Sequence, residues 1–206
     1  VVDPTNPQRL FLVATDAGDP TAEDPKPGIF GARSTDGGST WSQIHDLSDG
    51  LPSPVDGSTV RAAYSSKGLL LVAYVTDKEV IVGQRAIVVI TMTPQDTVLN
   101  HFELPFGNAN SQSFSMKIGR GVVADSDVAY FAGSGLNAGV GVLGLLAGKP
   151  GSTPIQVTVA EGAELGDIAI GPAGQLLVLW GKPNPEHKLE FFATLDPDGV
   201  GPQPFG

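Results

Sequence analysis

The sequence predicts an all-β protein assembled from repeated four-stranded antiparallel units, and three observations carry that prediction. The 206 residues include 27 glycines and 17 prolines, which punctuate the chain at short intervals. Such density suits short strands and breaks helices. One strand pattern recurs along the chain, at Leu10 to Ala14 (LFLVA), Leu69 to Val75 (LLLVAYV), Val128 to Ala132 (VAYFA) and Leu176 to Trp180 (LLVLW). Its spacing of roughly 50–60 residues is enough for one four-stranded sheet per repeat. Finally, Ser34 to Trp41 (STDGGSTW) reads as a tight hairpin turn, with Gly37 and Gly38 free to take positive φ and Asp36 placed to accept backbone N–H groups.

The recurring runs are short and almost continuously apolar, as expected of strands covered on both faces. Each serves as the second strand of its unit. Third strands follow at Gly28 to Arg33, Arg85 to Met92, Val140 to Leu146 and Lys188 to Leu195. Fourth strands are expected at Trp41 to Leu47, Thr97 to Leu104 and Ile155 to Val159, with Val200 to Phe205 as a proline-rich remnant. First strands are expected at Val60 to Tyr64, Gly121 to Ala124 and Asp167 to Ile170, while the first unit keeps only the stub Val1 to Pro4. The units then span approximately 1–47, 58–104, 116–159 and 165–206. The connections, such as Asp46 to Thr59 and Phe106 to Ser115, are too rich in Gly, Pro and Ser for the helices of a doubly wound α/β fold. A β-sandwich is the fold alternative.

Ser34, Asp36, Gly38, Thr40 and Trp41 match every specified position of S/T-x-D-x-G-x-T-W. The stretch resembles the Asp-box, or BNR repeat, of sialidase-like β-propellers. The resemblance implies a β-propeller of four-stranded blades, with the box as a structural turn between third and fourth strands, usually on the face away from the ligand. The equivalent turns at Thr93 to Asp96, Lys149 to Ser152 and Asp196 to Gly199 are degenerate copies. About four blades are present. They close alone, pair with a second chain to complete a ring, or belong to a larger ring of six or seven blades. A chain beginning at Val1 and ending on Phe205 and Gly206, where another strand starts, reads as a processed product or a piece of something longer.

A net charge of −10 and a pI near 4.5 disfavour nucleic acid and anionic membranes as partners. No apolar run is long enough to span a bilayer. Without Cys, disulfides, thiol nucleophiles and thiolate metal sites are excluded. The composition fits an extracellular or periplasmic bacterial protein.

Aligning the units on their second strands puts Arg61, Arg120 and Asp167 at matching positions on successive first strands. In a propeller these strands line the central channel, so the three are the candidate ligand-binding residues. Two guanidiniums suit a carboxylate, sulfate or phosphate. The structural alternative is an ion pair between either arginine and Asp167 that ties blades together. Loops expected at Asp16 to Pro27, Thr76 to Gln84, Gly133 to Gly139 and Gly181 to His187 open on the same face. Asp16, Asp19, Glu23 and Asp24 offer hard oxygen ligands for Ca²⁺, although their spacing matches no EF-hand. No other cofactor is expected. Tyr64, Tyr74, Tyr130 and Trp180 are candidate sugar platforms, but all four lie in apolar strands where core packing is the simpler role.

Several motifs fail. Gly139 to Gly144 spells G-x-G-x-x-G, yet Lys149-Pro150-Gly151 arrives too early for the required helix. His45, His101 and His187 show no metal-ligand spacing, and the first two fall on outer strands facing solvent. The sialidase resemblance implies an arginine triad, a Tyr nucleophile with a Glu partner and an acidic proton donor. No R-I-P sequence occurs here, and only Arg61 and Arg120 of the five arginines are placed for a clamp. The favoured reading is a secreted, non-catalytic propeller module that recognises a glycan or protein ligand on its top face. Two alternatives stay open: a sialidase-like exo-glycosidase with its remaining catalytic residues outside this chain, and a structural or assembly scaffold.

Overall fold

The computed structural model describes residues 1–16, 27–55, 59–93, 95, 97–105, 114–120, 127–136, 139–146, 155–161, 163, 165–171, 175–186 and 188–196. These residues are all-β, with no helix among them. The chain divides into two compact units, Val1–Pro105 and Phe106–Gly206.

Unit 1 holds two antiparallel sheets with strands in sequential order. The first contains β1 (Val2–Asp3), β2 (Asn6–Asp16), β3 (Gly28–Ser34) and β4 (His45–Asp46). The second contains β5 (Val60–Tyr64), β6 (Leu70–Ile81), β7 (Gln84–Met92) and β8 (Val98–Pro105). Unit 2 repeats the meander with β9 (Ser115–Arg120), β10 (Asp127–Leu136), β11 (Gly139–Leu146) and β12 (Ile155–Glu161). Its second sheet is β13 (Leu165–Ile170), β14 (Leu176–Pro183) and β15 (Leu189–Asp196). The Val200 to Phe205 remnant lies outside the described residues.

Strand alternation builds each core. In β2, Phe11 and Val13 point to one face and pack with Ile29, Leu70, Val72, Tyr74, Val88 and Ile90 to join the two sheets of unit 1. The continuous run in β6 is buried on both faces, Leu71, Ala73 and Val75 as completely as their neighbours. In unit 2, Tyr130 and Ala132 of β10 meet Ile168, Leu176 and Val178 of the β13–β15 sheet. Tyr74 and Tyr130 are therefore core residues, and Tyr64 and Trp180 are partly buried against the same clusters. The Tyr74 hydroxyl donates to the Pro52 carbonyl at 2.8 Å, and burial, with Asp46, Glu103 and Asp77 nearby, pushes its phenol far above the usual range.

Hairpins recur with one hydrogen-bond scheme. The side-chain oxygens of Ser65, Thr93 and Asn184 each accept from the N–H groups two and four residues on. The N–H of the same residue donates to the carbonyl four residues on. Short polar side chains at these turns thus supply acceptors that the ladder lacks.

Four expectations need correction. The fourth strand of the first sheet pairs only at His45 and Asp46, not from Trp41 to Leu47. Serines replace the missing ladder: Ser42 Oγ accepts from Arg33 N–H and Ser48 Oγ from Ile29 N–H. The expected loop Thr76 to Gln84 is mostly strand, since β6 runs through its polar Asp77-Lys78-Glu79 stretch and turns at Val82 and Gly83, where Gly83 has φ +78°. At Gly181 to His187 the strand likewise continues to Pro183. The first strand of unit 2 is Ser115–Arg120, whose Met116 and Ile118 alternate with polar residues. The expected strand Gly121 to Ala124 lies outside the described residues, and the charge of that unit moves accordingly.

An unanticipated feature is a buried ion pair. The side chain of Asp3 is inaccessible to solvent, and Arg9 Nη2 stands 2.9 Å from its Oδ2. That approach is not aligned as a hydrogen bond, and Arg9 Nε has no acceptor among the described residues. Asp3 Oδ1 accepts from the N–H and hydroxyl of Thr5 at 2.8 and 2.7 Å. The turn at Gly68, with φ +76°, lies directly over it, so that a Cβ there would sit 3.4 Å from Oδ2.

Candidate functional site

The turn after β3 is built around two side chains. Ser34 Oγ donates to Asp36 Oδ1 at 2.7 Å and accepts from Gly38 N–H at 2.8 Å. Asp36 Oδ1 accepts from Thr40 N–H at 2.9 Å, and Oδ2 from the Thr40 hydroxyl at 2.6 Å. Gly37 and Gly38, at φ +71° and +94°, let the chain reverse, and Gly37 N–H donates to the Gln8 carbonyl at 2.9 Å. Trp41 is 45% exposed, with its ring beside Gly38 instead of inserted as a core peg. Every oxygen of Ser34 and Asp36 named here is engaged within the turn, which suits it to hold backbone rather than ligand.

Bonds from the Thr40 hydroxyl and N–H, then from Ser34, lower the Asp36 carboxyl to about 2. Burial pushes Asp3 upward, but the bonds from Thr5 and the Arg9 guanidinium outweigh it and leave its carboxyl below the ordinary 3.8. Both folded-state values are depressed, so their contribution to stability is present above about pH 4 and lost as pH falls through the folded values. Thermal melts between pH 6 and 2 are expected to show a steep acid loss, shallower in Asp36→Asn. An unchanged slope in that variant would show that the turn contributes nothing to acid sensitivity.

The first strands of three sheets carry the charged candidates. Arg61 stands opposite Ala73 in the β5–β6 pair, and Asp167 opposite Leu179 in β13–β14. Each lies three residues before the last residue of its strand. Arg120 does not match them, since it ends β9 and faces Asp127. The residue of β9 in their register is Lys117, opposite Tyr130. The alternation of Met116 and Ile118 around Lys117 was the sequence signal for this register.

Arg61, Lys117 and Asp167 are all exposed. In unit 1, Arg61 extends from the β5 face opposite Val60, Ala62 and Tyr64, which pack on the core, and its Nη1 donates to the Val60 carbonyl at 3.1 Å. In unit 2, Asp167 accepts from the Ser115 hydroxyl of the neighbouring β9 and from its own Ile168 N–H, the latter at 2.8 Å. A serine thus ties Asp167 to the adjacent sheet. Asp16 closes β2 opposite Gly28 and is exposed, whereas Asp19, Glu23 and Asp24 lie outside the described residues. Among the described residues no three potential ligands cluster around a metal position. His45 and His101 are exposed, as expected, and the glycines at 139, 141 and 144 sit in the β10–β11 ladder instead of a phosphate loop.

Sequence reasoning also missed a groove of about 550 Å³ between the two sheets of unit 1. Phe11, Leu47 and Met92 contribute apolar walls, while Arg33, His45, Asp49 and Gln95 contribute polar ones. It combines residues far apart in sequence, so no local motif announces it.

No helix among the described residues is long and apolar enough to cross a membrane. No family model matches the chain, and no curated protein matches it in sequence. Among solved structures it is similar to the intramolecular trans-sialidase from Ruminococcus gnavus, determined in complex with oseltamivir carboxylate, with TM-score 0.56 and 13% identity over 94% of this chain and 42% of that one. A protein of unknown function from Dyadobacter fermentans gives TM-score 0.54 and 13% identity over 94% of this chain and 60% of that one. A thermostable family-43 glycoside hydrolase gives 0.51 and 14% identity over 97% and 75%. The chain therefore spans less than half the length of the trans-sialidase. At these identities the likeness is one of fold: an all-β chain whose structural neighbours include β-propeller glycosidases.

Proposed function

We infer that the chain is a secreted β-propeller module with an Asp-box turn at Ser34 to Trp41, and that it recognises an anionic glycan without transforming it. The observation that carries this reading is the inner-strand register, which gives unit 1 an exposed guanidinium at Arg61 and unit 2 an exposed ammonium at Lys117. Exposed cations on an otherwise acidic protein of net charge −10 are poor general glue and good local anion contacts. The carbohydrate-active neighbours support a glycan over other anions. Arg120 ends β9 outside this register, and Asp167 is already bonded to Ser115 within unit 2.

The second reading, an exo-glycosidase of sialidase type, draws on the neighbours named above. Tyr64 does not support it, because that side chain packs with the core on the opposite face of β5 from Arg61. Calorimetric titration of sialylated and uronate-containing oligosaccharides into wild type, Arg61→Ala and Lys117→Ala tests the proposal. Losing one charge-assisted contact is expected to weaken binding roughly tenfold or more, with melting temperature unchanged. Equal affinity in all three proteins would mean that neither residue contacts the glycan. Capture of a protein ligand with no glycan response would replace the glycan by a protein loop.

A further inference from the structure

Four Asp-Gly pairs occur in the sequence, beginning at Asp36, Asp49, Asp56 and Asp198, and the first two lie among the described residues. An aspartate before glycine is prone to self-modification, because glycine puts no side chain in the way of its own amide nitrogen. The reaction is a ring closure within the chain. The amide nitrogen attacks the aspartate Cγ, one water leaves, and a five-membered succinimide forms. Water then opens the ring at either carbonyl, returning aspartate or giving isoaspartate, and no other reactant is consumed. Closure needs the carboxyl and the amide nitrogen to swing into contact, so hydrogen bonds that hold either group slow it.

The two described pairs differ in both groups. At Asp36-Gly37, Oδ1 accepts from Ser34 Oγ and Thr40 N–H, Oδ2 accepts from the Thr40 hydroxyl, and Gly37 N–H donates to the Gln8 carbonyl. The bonds from Thr40 and Ser34 also keep the carboxyl ionised, whereas ring closure proceeds through the neutral acid. Asp49-Gly50 forms the middle of a turn from Ser48 to Leu51, closed by Leu51 N–H donating to the Ser48 carbonyl at 2.9 Å. Gly50, third in that turn, has φ +72°, a value glycine takes readily. Both residues are exposed, and a Cβ at Gly50 would meet nothing within 4 Å. Among the described residues no hydrogen bond reaches the Asp49 carboxylate or the Gly50 N–H.

We propose that Asp49-Gly50 is a site of spontaneous isomerisation to isoaspartate, and that the turn enclosing Asp36-Gly37 protects its own pair. Isoaspartate carries the main chain through the former side chain, which adds one methylene between Ser48 and Leu51 and leaves the α-carboxylate as the branch. The turn that must absorb this extra atom is anchored at both ends: Ser48 Oγ accepts from Ile29 N–H at 3.1 Å, and Leu51 packs against the unit 1 core. Asp49 also lines the groove of unit 1 together with Asp46 and His45, so isomerisation moves one of the acids that the groove presents.

The test is to age the intact protein in mildly acidic oxygen-18 water, at a temperature where circular dichroism shows the native fold. Every ring opening then leaves one heavy oxygen. Digestion in ordinary water and peptide mapping by mass spectrometry, with electron-transfer fragmentation to separate isoaspartate from aspartate, reads each site. The Asp49 peptide is expected to gain label and isoaspartate about tenfold or more faster than the Asp36 peptide. In guanidinium chloride, where both turns are lost, the two rates are expected to agree within about twofold. Asp49→Glu, whose longer side chain must close a larger and slower ring, is expected to leave its own peptide unlabelled and the Asp36 peptide as in the wild type. Equal rates at the two sites in the folded protein, or a folded Asp49 rate about tenfold or more below its rate in guanidinium chloride, would overturn the assignment. A contrast between the sites that persists in the denatured chain would overturn it as well, by tracing the difference to sequence and not to fold. None of these outcomes depends on whether a glycan binds at Arg61 or Lys117.

Discussion

Replacing Arg9 by Ala is expected to lower the free energy of unfolding by about 3–5 kcal/mol at neutral pH, the usual consequence of leaving a buried charge without its partner. Asp3 is wholly inaccessible, so its carboxylate then keeps the Thr5 bonds and the Asn6 backbone N–H, but no counter-charge, against the cost of burial. In a domain whose net stability is about 5–15 kcal/mol, that loss is a large fraction of the total. The effect has a pH signature. Without the guanidinium the folded-state value of Asp3 rises relative to wild type, and a neutral carboxylic acid no longer needs a counter-charge. The gap between wild type and variant is therefore expected to narrow as pH falls through the depressed folded-state value of wild-type Asp3, below which the carboxyl is protonated in both proteins. Urea unfolding at pH 7 and pH 3 measures it. A gap that stays constant would show that Arg9 acts through its packing and not through its charge.

Gly31→Ala is expected to destabilise unit 1 by about 1–3 kcal/mol, the usual range for forcing one extra carbon into a close-packed core. A Cβ at this position would stand 2.5 Å from Phe11 Cζ and 2.9 Å from Leu47 Cδ1. The Phe11 ring is 3% exposed and packed among Ile29, Leu70 and Val72, so it has little room to withdraw. The space can be returned by shortening the ring, and Phe11→Leu is expected to offset part of the Gly31→Ala cost when the two are combined. A double-mutant cycle on denaturant midpoints reads the coupling. Strict additivity of the two changes would mean that Gly31 matters for its backbone freedom alone.

The second and third strands were legible because their signal is local and redundant. Leu70 to Val75 is apolar at every position and buried on both faces, so no error of register disguises it. The hairpin at Asp36-Gly37-Gly38 was equally plain, since its residue types are required by the backbone they form. The fourth strand of the first sheet was not legible, because Ser42 and Ser48 replace ladder bonds with hydroxyls and the sequence looks the same either way. Polar residues Asp77 to Glu79 read as loop, although a strand that leaves the core keeps its extended backbone while changing its composition. The register at Lys117 was lost to the apolar run after Arg120, which outweighed the weaker alternation in Ser115–Arg120. The groove depends on contacts between distant segments, for which a single sequence has no pattern to show, and the Asp3 and Arg9 pair, though local to the β1–β2 hairpin, is buried only once the turn at Gly68 lies over it.

Recognition of an anionic glycan without turnover is the proposed role of this chain. Its most direct test is to titrate sialylated and uronate-containing oligosaccharides into the wild-type protein and analyse the recovered sugars by mass spectrometry. Saturable heat that weakens with salt, and oligosaccharides recovered intact, are the expected result. Cleaved sugars would establish a glycosidase, and the absence of binding by any anionic glycan would contradict the recognition role itself.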